Sequence, residues 1–358
     1  MTTLQQRLIA QIAIDGPMSV AQFMTHALYD PEGGYYARNA DIGGTGDFTT
    51  SPEISQMFGE LIGLWCVHEW EQIGKPDPFN LIELGPGNGV LMSDAWRAAK
   101  LSPAFRKAAR IHMLEIGEGL RRKQSASLAN VGAKATWHER FEDIPAGPSI
   151  IVANEFFDCL PIRQFVRRDG QWRERLLGRD DEGELTFGLA SDIALLSAAI
   201  IPPTLADAED GAIAEIAPAL PTWIDLIAAR FHAAPSRALI IDYGGDGAGD
   251  TLQAMRAHEK SYVLDDIGIA DLTAHVDFGA IKRLARASGL AVADAIPQRD
   301  FLRALGLDQR THALAQQHPE ITEQLGRDYQ RLTAPDQMGD LFKATCLSSP
   351  NLPPPAGF

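Results

Sequence analysis

The hydrophobic and polar positions of this chain change their period near residue 79. Before that point, apolar residues recur every three or four positions, which predicts helices beginning at Leu4 and covering residues 19–28 and 52–73. Beyond it, short apolar runs alternate with helix-like segments. Strands that alternate with helices favour a mostly parallel, doubly wound sheet covered on both faces. The expected fold class is therefore α/β.

The alternation defines the expected domain organisation. The predicted strands cover residues 79–85, 110–116, 149–157, 237–244 and 341–349, and the predicted helices cover 90–100, 118–130, 221–232 and 278–288. The alternation stops between about 162 and 218, where apolar runs joined by polar turns predict a small antiparallel β insertion. We therefore expect a helical N-terminal region (1–78), an α/β domain (79–349) that carries this insertion, and a loose tail (350–358).

Composition and charge argue against several classes of protein. The chain has 358 residues and a formal net charge of −15, whereas nucleic-acid binding requires a basic surface. Its most apolar run, residues 193–201, is shorter than the ~18 residues of a membrane-spanning helix. The three cysteines are far apart, which argues against a disulfide framework and a thiolate metal site. The N-terminus lacks signal-peptide and transit-peptide features, so we expect a cytoplasmic protein. The sequence offers no cluster of His and Cys ligands, so we also expect no bound metal.

A glycine-rich turn follows the first predicted strand. Glu83, Gly85, Gly87 and Gly89 stand at alternate positions where the strand ends and a helix begins. Glycines there let the backbone turn tightly and let a ligand approach the main chain. The spacing is not the G-x-G-x-x-G of dinucleotide-binding proteins, and the Gly-Lys-Ser/Thr of a phosphate loop is missing.

The turn resembles motif I of the S-adenosylmethionine-dependent methyltransferases. That resemblance implies that the glycines lie under the methionine part of the cofactor and that Glu83 helps to orient its ammonium group. The next strand ends in Glu115, where a carboxylate can accept both hydroxyls of an unphosphorylated ribose. The alternative is a turn that only packs helix on strand, with Glu115 in solvent.

Polar residues also follow the third predicted strand. Asn154, Glu155 and Asp158 come directly after the apolar run that begins at residue 149. Carboxylates at this sheet edge suit a cationic acceptor, because a guanidinium offers several N–H donors that they can hold and orient. We therefore predict these three residues to be catalytic. The alternative is that the acids cap the following helix.

Several segments together resemble one family. They are GDFTTSPEISQMFGELIGLW (46–65), ELGPGNG (83–89), NEFFDCLPIRQF (154–165), IDYG (241–244) and HVDF (275–278). The chain resembles the MidA-type methyltransferases, the family of the mitochondrial complex I assembly-factor arginine methyltransferase. The resemblance implies a Rossmann-like class I methyltransferase that uses S-adenosyl-L-methionine. It also implies a protein arginine as acceptor, on a subunit of NADH–quinone oxidoreductase in the mitochondrial branch.

The resemblance also suggests a role for a long segment without regular period, residues 29–55. By resemblance, residues 46–53 lie over the cofactor, so Asp47, Thr50 and Ser51 are candidate cofactor-binding residues, and Tyr35 or Tyr36 is expected to close the pocket. Because the N-terminus has no transit-peptide features, we expect the chain to be a bacterial member of the family. Two other functions stay open: a small-molecule methyltransferase, and a non-enzymatic assembly factor that retains the fold.

Overall fold

The N-terminal region is mainly helical. The computed structural model describes residues 3–38, 50–194, 201–247 and 249–358, so Asp47 lies outside the described residues. The elements of this region are α1 (Leu4–Asp15), β1 (Met18–Ser19), α2 (Val20–Tyr29), α3 (Tyr35–Arg38), α4 (Ser51–Ile54) and α5 (Gln56–Gln72). Thr3 and Ser19 begin α1 and α2 with capping boxes. The helix predicted over 52–73 is broken at Ser55, whose extended backbone separates α4 from α5 and whose hydroxyl caps α5.

Alternating strands and helices follow. The first set is β2 (Phe79–Leu84), α6 (Val90–Ala98), α7 (Pro103–Ala108), β3 (Ala109–Leu114), α8 (Glu118–Asn130), β4 (Ala135–His138) and β5 (Ser149–Asn154). The insertion contains β6 (Arg163–Arg168), β7 (Gln171–Arg179), β8 (Leu185–Leu189) and β9 (Ile213–Ile216). All pairings among these insertion strands are antiparallel, and β1 of the N-terminal region adds to the edge of β7.

The C-terminal half completes the domain. Its first elements are α9 (Leu220–Ala233), β10 (Ser236–Gly245), β11 (Gln253–Arg256), β12 (Glu259–Ser261), β13 (Asp271–Thr273), β14 (Val276–Asp277) and α10 (Phe278–Ala287). The last are β15 (Ala291–Val292), β16 (Ile296–Pro297), α11 (Gln298–Ala304), α12 (Leu307–Gln317), α13 (Thr322–Thr333), α14 (Met338–Leu341) and β17 (Phe342–Ser348). The sequence analysis missed β4 and the small sheet β12–β11–β13, because short strands carry little periodic signal. It also missed helices α11–α13, although α13 has a clearly amphipathic pattern.

The main sheet has the strand order β15–β17–β10–β5–β2–β3–β4. From β10 to β4 every neighbouring pair is parallel, and β17 is antiparallel to β10. The mostly parallel, doubly wound sheet predicted from the sequence is confirmed. The chain reverses direction across the sheet between β2, which leads to β3 and β4, and β5 on its other side. Sheets of this class bind ligands at that switch point, beyond the carboxyl ends of the strands.

Helices cover both faces of the sheet. On one face, α5, α6 and α11–α13 bury large side chains such as Trp65, Phe79 and Phe301. On the other, α9 and α10 bury Ile224, Phe231 and Ile281 against Ile82 and its neighbours. Each such side chain contributes about 1.5–3 kcal/mol on burial, so the sheet and the strand ends that it presents form a rigid platform. In the described part of the chain, no helix combines the length and apolarity needed to cross a membrane.

The C-terminal residues 350–358 pack against the domain instead of forming the loose tail predicted from their composition. The Ala356 backbone N–H donates to Glu69 at 2.8 Å, and the Trp65 indole donates to the Ala356 carbonyl at 3.1 Å. The Phe358 ring lies 5.1 Å from that of Phe301. Glu69 also forms a fully buried ion pair with Arg237, at 3.0 Å. The tail covers this pair and bonds both of its members, since Arg237 Nη2 donates to the Pro353 carbonyl and Glu69 Oε1 accepts the Ala356 N–H.

Candidate active site

A cavity of about 510 Å³ opens at the switch point of the main sheet. Most of the residues predicted to form the site line it: Thr50, Glu83, Gly85, Gly87, Glu115, Asn154, Glu155 and Asp158. The parallel strands β2, β3 and β5 bring these residues together, because their carboxyl ends meet at one edge of the sheet. Gly89 and Ser51 lie next to the cavity without lining it.

The glycine turn after β2 presents backbone to the cavity. Gly85, Gly87 and Gly89 have φ angles of +61°, +52° and +75°, in the left-handed region that favours glycine. A Cβ on Gly85 would lie 2.9 Å from the Phe156 ring, whereas one on Gly87 would have no atom within 4 Å. Gly87 therefore leaves open space in which a ligand can approach the main chain.

Glu83 lies buried below this turn. Its Oε2 has no hydrogen-bond partner in the described part of the chain, and burial raises the pKa of its carboxyl to about 8. A buried carboxyl oxygen without a partner, facing a cavity, suits a cationic ligand group, which would favour its ionised form. Glu83 and the open Gly87 backbone fit the ammonium and methionine part of S-adenosylmethionine.

Glu115 follows β3 and is held by donors on both oxygens. Its Oε1 accepts the Gly117 backbone N–H at 2.7 Å, and its Oε2 accepts the Gln124 amide at 3.1 Å. The same amide donates to the Gly87 carbonyl at 2.8 Å, while the Trp137 indole donates to the Gln124 Oε1 at 2.7 Å. Gln124 thus ties the glycine turn after β2 to the acid after β3, a role that the sequence did not suggest. Glu115 is oriented as a ribose-binding carboxylate requires.

The segment after β5 carries the predicted catalytic residues. Glu155 has a φ of +50°, which is rare for a residue with a side chain. Its Oε1 accepts the Asn154 amide at 3.0 Å and the Ser51 backbone N–H at 3.1 Å. Burial, reinforced by the charge of Asp158, raises the pKa of Glu155 to about 8. Burial likewise raises the pKa of Asp158 to about 6.

Asp242, near the carboxyl end of β10, holds the segment after β5 in place. It is completely buried, and its Oδ2 accepts backbone N–H groups from Phe156, Phe157 and Asp158 at 3.0–3.3 Å. The Asp242 carboxyl therefore accepts the backbone N–H groups of this turn, as a capping side chain does at the start of a helix. Asp158 does not cap a helix, because residues 155–161 form turns that lead directly to β6. Asp158 lines the cavity, and its buried Oδ1 has no hydrogen-bond partner among the described atoms.

Residues that precede α5 also contact the site. Thr50 lines the cavity, and Glu53 accepts a hydrogen bond from Asn88 of the glycine turn at 2.9 Å. Ser51 is completely buried, so its backbone N–H positions Glu155. Cofactor binding by Thr50 and Ser51 stays a prediction, as does that by Asp47.

Other lining residues come from regions where the sequence gave no motif. Tyr29 and Tyr36 of the N-terminal region stack with ring centroids 5.4 Å apart, whereas Tyr35 is buried. Trp223 of α9 packs edge-on to Phe156 at 5.0 Å. Asp271 and Thr273 enter from β13. Of the two tyrosines that the sequence analysis expected to close the pocket, Tyr36 lines the cavity and Tyr35 does not. No local pattern marks the other four as site residues, because tertiary pairing brings them to the cavity.

The cavity is strongly acidic. Among the described residues that line it, Arg140 is the one basic side chain. The acids are Glu53, Glu83, Glu115, Glu139, Glu142, Glu155, Asp158 and Asp271. Such a site favours cations, including a sulfonium and an ammonium, and disfavours phosphorylated ligands.

The fold and the site define a Rossmann-like class I methyltransferase. The model of the family described as "Putative S-adenosyl-L-methionine-dependent methyltransferase" matches residues 61–296, more than half of the chain. The chain belongs to this family. It is an S-adenosylmethionine-dependent methyltransferase, and the residues at Glu83, Gly87 and Glu115 fit that cofactor.

Named relatives and a solved structure agree with this assignment. The chain is 36% identical to the zebrafish "Protein arginine methyltransferase NDUFAF7, mitochondrial", over 95% of this chain and 86% of the relative. It is 33% identical to the human protein of that name, over 95% and 82% of the two chains. A protein from Burkholderia thailandensis, crystallised with S-adenosyl-homocysteine, shares the fold with a TM-score of 0.86 at 24% identity, covering 99% of this chain and 93% of that one.

Proposed function

We propose that this protein transfers a methyl group from S-adenosylmethionine to an arginine side chain of a protein partner. The observation that carries the proposal is the acidity of the cavity. Its described lining residues include eight carboxyl side chains and one basic side chain, an arginine. The cofactor accounts for Glu83 and Glu115. The carboxyls after β5 remain for a second cation, and that cation is the methyl acceptor.

The residues after β5 suit a guanidinium. Asn154 Oδ1 and Asp158 Oδ1 are buried acceptors without partners among the described atoms, so each can take an N–H of the incoming group. Carboxylates hold a guanidinium through charge-assisted hydrogen bonds and fix its plane. Orientation is the main requirement, because the methyl group must meet the nitrogen lone pair in line.

When bound, S-adenosylmethionine supplies the methyl group: the N–C bond forms as the S–C bond breaks, the bonding electron pair stays on sulfur, and the nitrogen loses one proton. Glu155 is positioned to accept that proton. The approach of a guanidinium favours the ionised form of Glu155, which burial alone disfavours. Ser51 and Asn154 hold the carboxylate by donating to its Oε1. Asp158 balances the positive charge of the bound guanidinium before the methyl group is transferred.

The relatives support a protein acceptor. The zebrafish and human relatives are named as mitochondrial protein arginine methyltransferases, and the present chain spans most of their length. The family resemblance extends the proposal to an arginine on a subunit of NADH–quinone oxidoreductase.

Radiolabelling followed by mass spectrometry tests the proposal. Purified protein is incubated with tritiated S-adenosylmethionine and an extract of source cells that lack the gene. We expect label in a polypeptide, and a methylarginine on an NADH–quinone oxidoreductase subunit that is missing from those cells. Glu155→Gln should lower the rate about 100-fold, the usual effect of losing a general base, and retain S-adenosylhomocysteine binding. Glu118→Gln, a matched change at an exposed acid of α8, should leave the rate unchanged.

Two outcomes would overturn the proposal. Label confined to metabolites would identify a small-molecule methyltransferase. Absence of any label, with a Gly87→Val variant that still supports assembly of its partner, would identify a non-enzymatic assembly factor.

A further inference from the structure

We propose that Asp271 and the Tyr29–Tyr36 pair form, together with Asp158, a guanidinium-selective slot at the acceptor end of the cavity. This inference rests on the proposed function, which does not itself use Asp271 or the two tyrosines. It assigns the selection of the acceptor side chain to residues outside every sequence motif of the cofactor site.

The cavity has two distinct ends. Glu83, Gly87 and Glu115 lie at the ends of β2 and β3, on one side of the switch point. The slot residues come from the other side: the segment after β5, the strand β13 and the N-terminal helices. Because the cofactor-binding motifs occupy the first side, the second remains for the acceptor.

Two elements, α2 and the segment after β13, contact residues 158 and 159 and so build this second end. The Ala274 backbone N–H, next to β13, donates to the Asp158 carbonyl at 3.0 Å. The Tyr29 hydroxyl, at the end of α2, donates to the Cys159 carbonyl at 3.2 Å. These bonds place Asp271 and the tyrosine pair beside the segment that carries Asp158. Asp158 lines the cavity and is 7% exposed, and its Oδ1 has no hydrogen-bond partner among the described atoms.

The aromatic pair gives the slot its preference for a flat cation. The Tyr29 and Tyr36 rings are nearly parallel, with an interplanar angle of 29°, and both line the cavity. Burial and the nearby charge of Asp271 raise the pKa of Tyr36, so its phenol stays neutral. A guanidinium stacks on such a ring while its N–H groups reach carboxylates in its own plane. An ammonium is compact and strongly hydrated, and it gains less from the same arrangement.

Binding of two small cations to the protein loaded with S-adenosylhomocysteine tests the slot. Ethylguanidinium and ethylammonium, titrated by NMR, represent the ends of arginine and lysine side chains. We expect the protein to prefer ethylguanidinium by at least about tenfold, the effect of one charge-assisted hydrogen bond. Asp271→Asn should weaken ethylguanidinium binding about tenfold and leave S-adenosylhomocysteine affinity unchanged. Glu259→Gln, an exposed acid of the same small sheet, is the matched control and should change neither.

A second pair of variants tests the aromatic wall independently of Asp271. Tyr36→Phe retains the ring and should retain the preference, whereas Tyr36→Leu should lose it. Unchanged ethylguanidinium affinity in Asp271→Asn, in a protein that still binds S-adenosylhomocysteine, would overturn the slot. So would equal affinity of the wild-type protein for the two cations.

The slot and the proposed function can fail separately. If arginines of proteins are methylated at the same KM by wild-type protein and Asp271→Asn, the slot is wrong and the proposed function stands. If the slot binds ethylguanidinium as expected but the labelled product is a metabolite, the slot stands and the protein acceptor is wrong.

Discussion

The side-chain amide of Gln124 donates a hydrogen bond to Glu115 at 3.1 Å, and from the same nitrogen to the Gly87 carbonyl at 2.8 Å. One buried side chain therefore sets the distance between the glycine turn and the acid after β3. Both groups are predicted to bind the cofactor, so we expect Gln124, which belongs to neither motif, to position the two halves of the site.

Replacing Gln124 by Met, which has a similar volume, tests this relationship. The change removes the donor to Glu115 and Gly87 and leaves the Trp137 indole without its acceptor. The two bonds that link Glu115 and Gly87 contribute about 1 kcal/mol each, so S-adenosylhomocysteine affinity should fall by up to about 30-fold in calorimetry. Arg122→Gln, at an exposed position of the same helix, serves as the control. An unchanged affinity in Gln124→Met would show that the two strand ends hold their spacing without this residue.

Gly87 can be separated from glycines that serve only the backbone. Gly87 and Gly132 both have positive φ, +52° and +67°, and a Cβ on either would have no atom within 4 Å. Gly87→Ala and Gly132→Ala should therefore each lower the free energy of unfolding by about 1–2 kcal/mol. Only Gly87→Ala should also weaken S-adenosylhomocysteine binding, because its methyl group projects into the cavity. Equal cofactor affinity in the two variants would remove Gly87 from the binding surface.

The pH dependence of methyl transfer should report Glu155. The proton acceptor must be ionised, and the pKa of Glu155 in the free protein is raised to about 8 by burial. The rate at low acceptor concentration should therefore rise about tenfold per pH unit below that value and level off above it. Glu155→Gln should be slow and should lack this rise, as measured by tritium incorporation between pH 6 and 9. A rise with the same midpoint in the variant would assign the titration to another group.

The buried ion pair under the C-terminal tail should contribute to stability in a way that a surface pair does not. Glu69→Met leaves the Arg237 guanidinium fully buried without its carboxylate, which should cost about 3–5 kcal/mol in urea unfolding. Glu71→Gln, on the same helix, breaks an exposed pair with Lys75 and should cost at most about 1 kcal/mol. Similar unfolding midpoints for the two variants would mean that the tail does not depend on the pair it covers.

The sequence was most informative where a strand ends in a polar motif. Glu83, Glu115 and Asn154–Asp158 could be placed at one sheet edge because parallel strands bring their carboxyl ends together whatever lies between them. The sheet itself followed from alternating apolar runs. These features depend on local patterns and on one topological rule.

The other half of the site depends on contacts between distant segments. Asp271 lies in a three-residue strand, and its place beside Asp158 follows from a backbone bond between residues 158 and 274. Tyr29 is 130 residues away from the Cys159 carbonyl that it binds. The C-terminal tail looked mobile by composition because its partners, Glu69 and Trp65, are in the N-terminal half. No spacing of residues along the chain predicts such contacts.

The left-handed backbone of Glu155 has a practical consequence for anyone who seeks a more heat-resistant form of this enzyme. A non-glycine residue held at such a φ costs on the order of 1–3 kcal/mol, so Glu155→Gly offers relief of the strain and would score well in a screen for thermal stability. The same change removes the carboxylate proposed to accept the proton. Selection for stability alone would therefore favour variants without this carboxylate, which we expect to be inactive. A stabilisation programme should keep Glu155 unchanged.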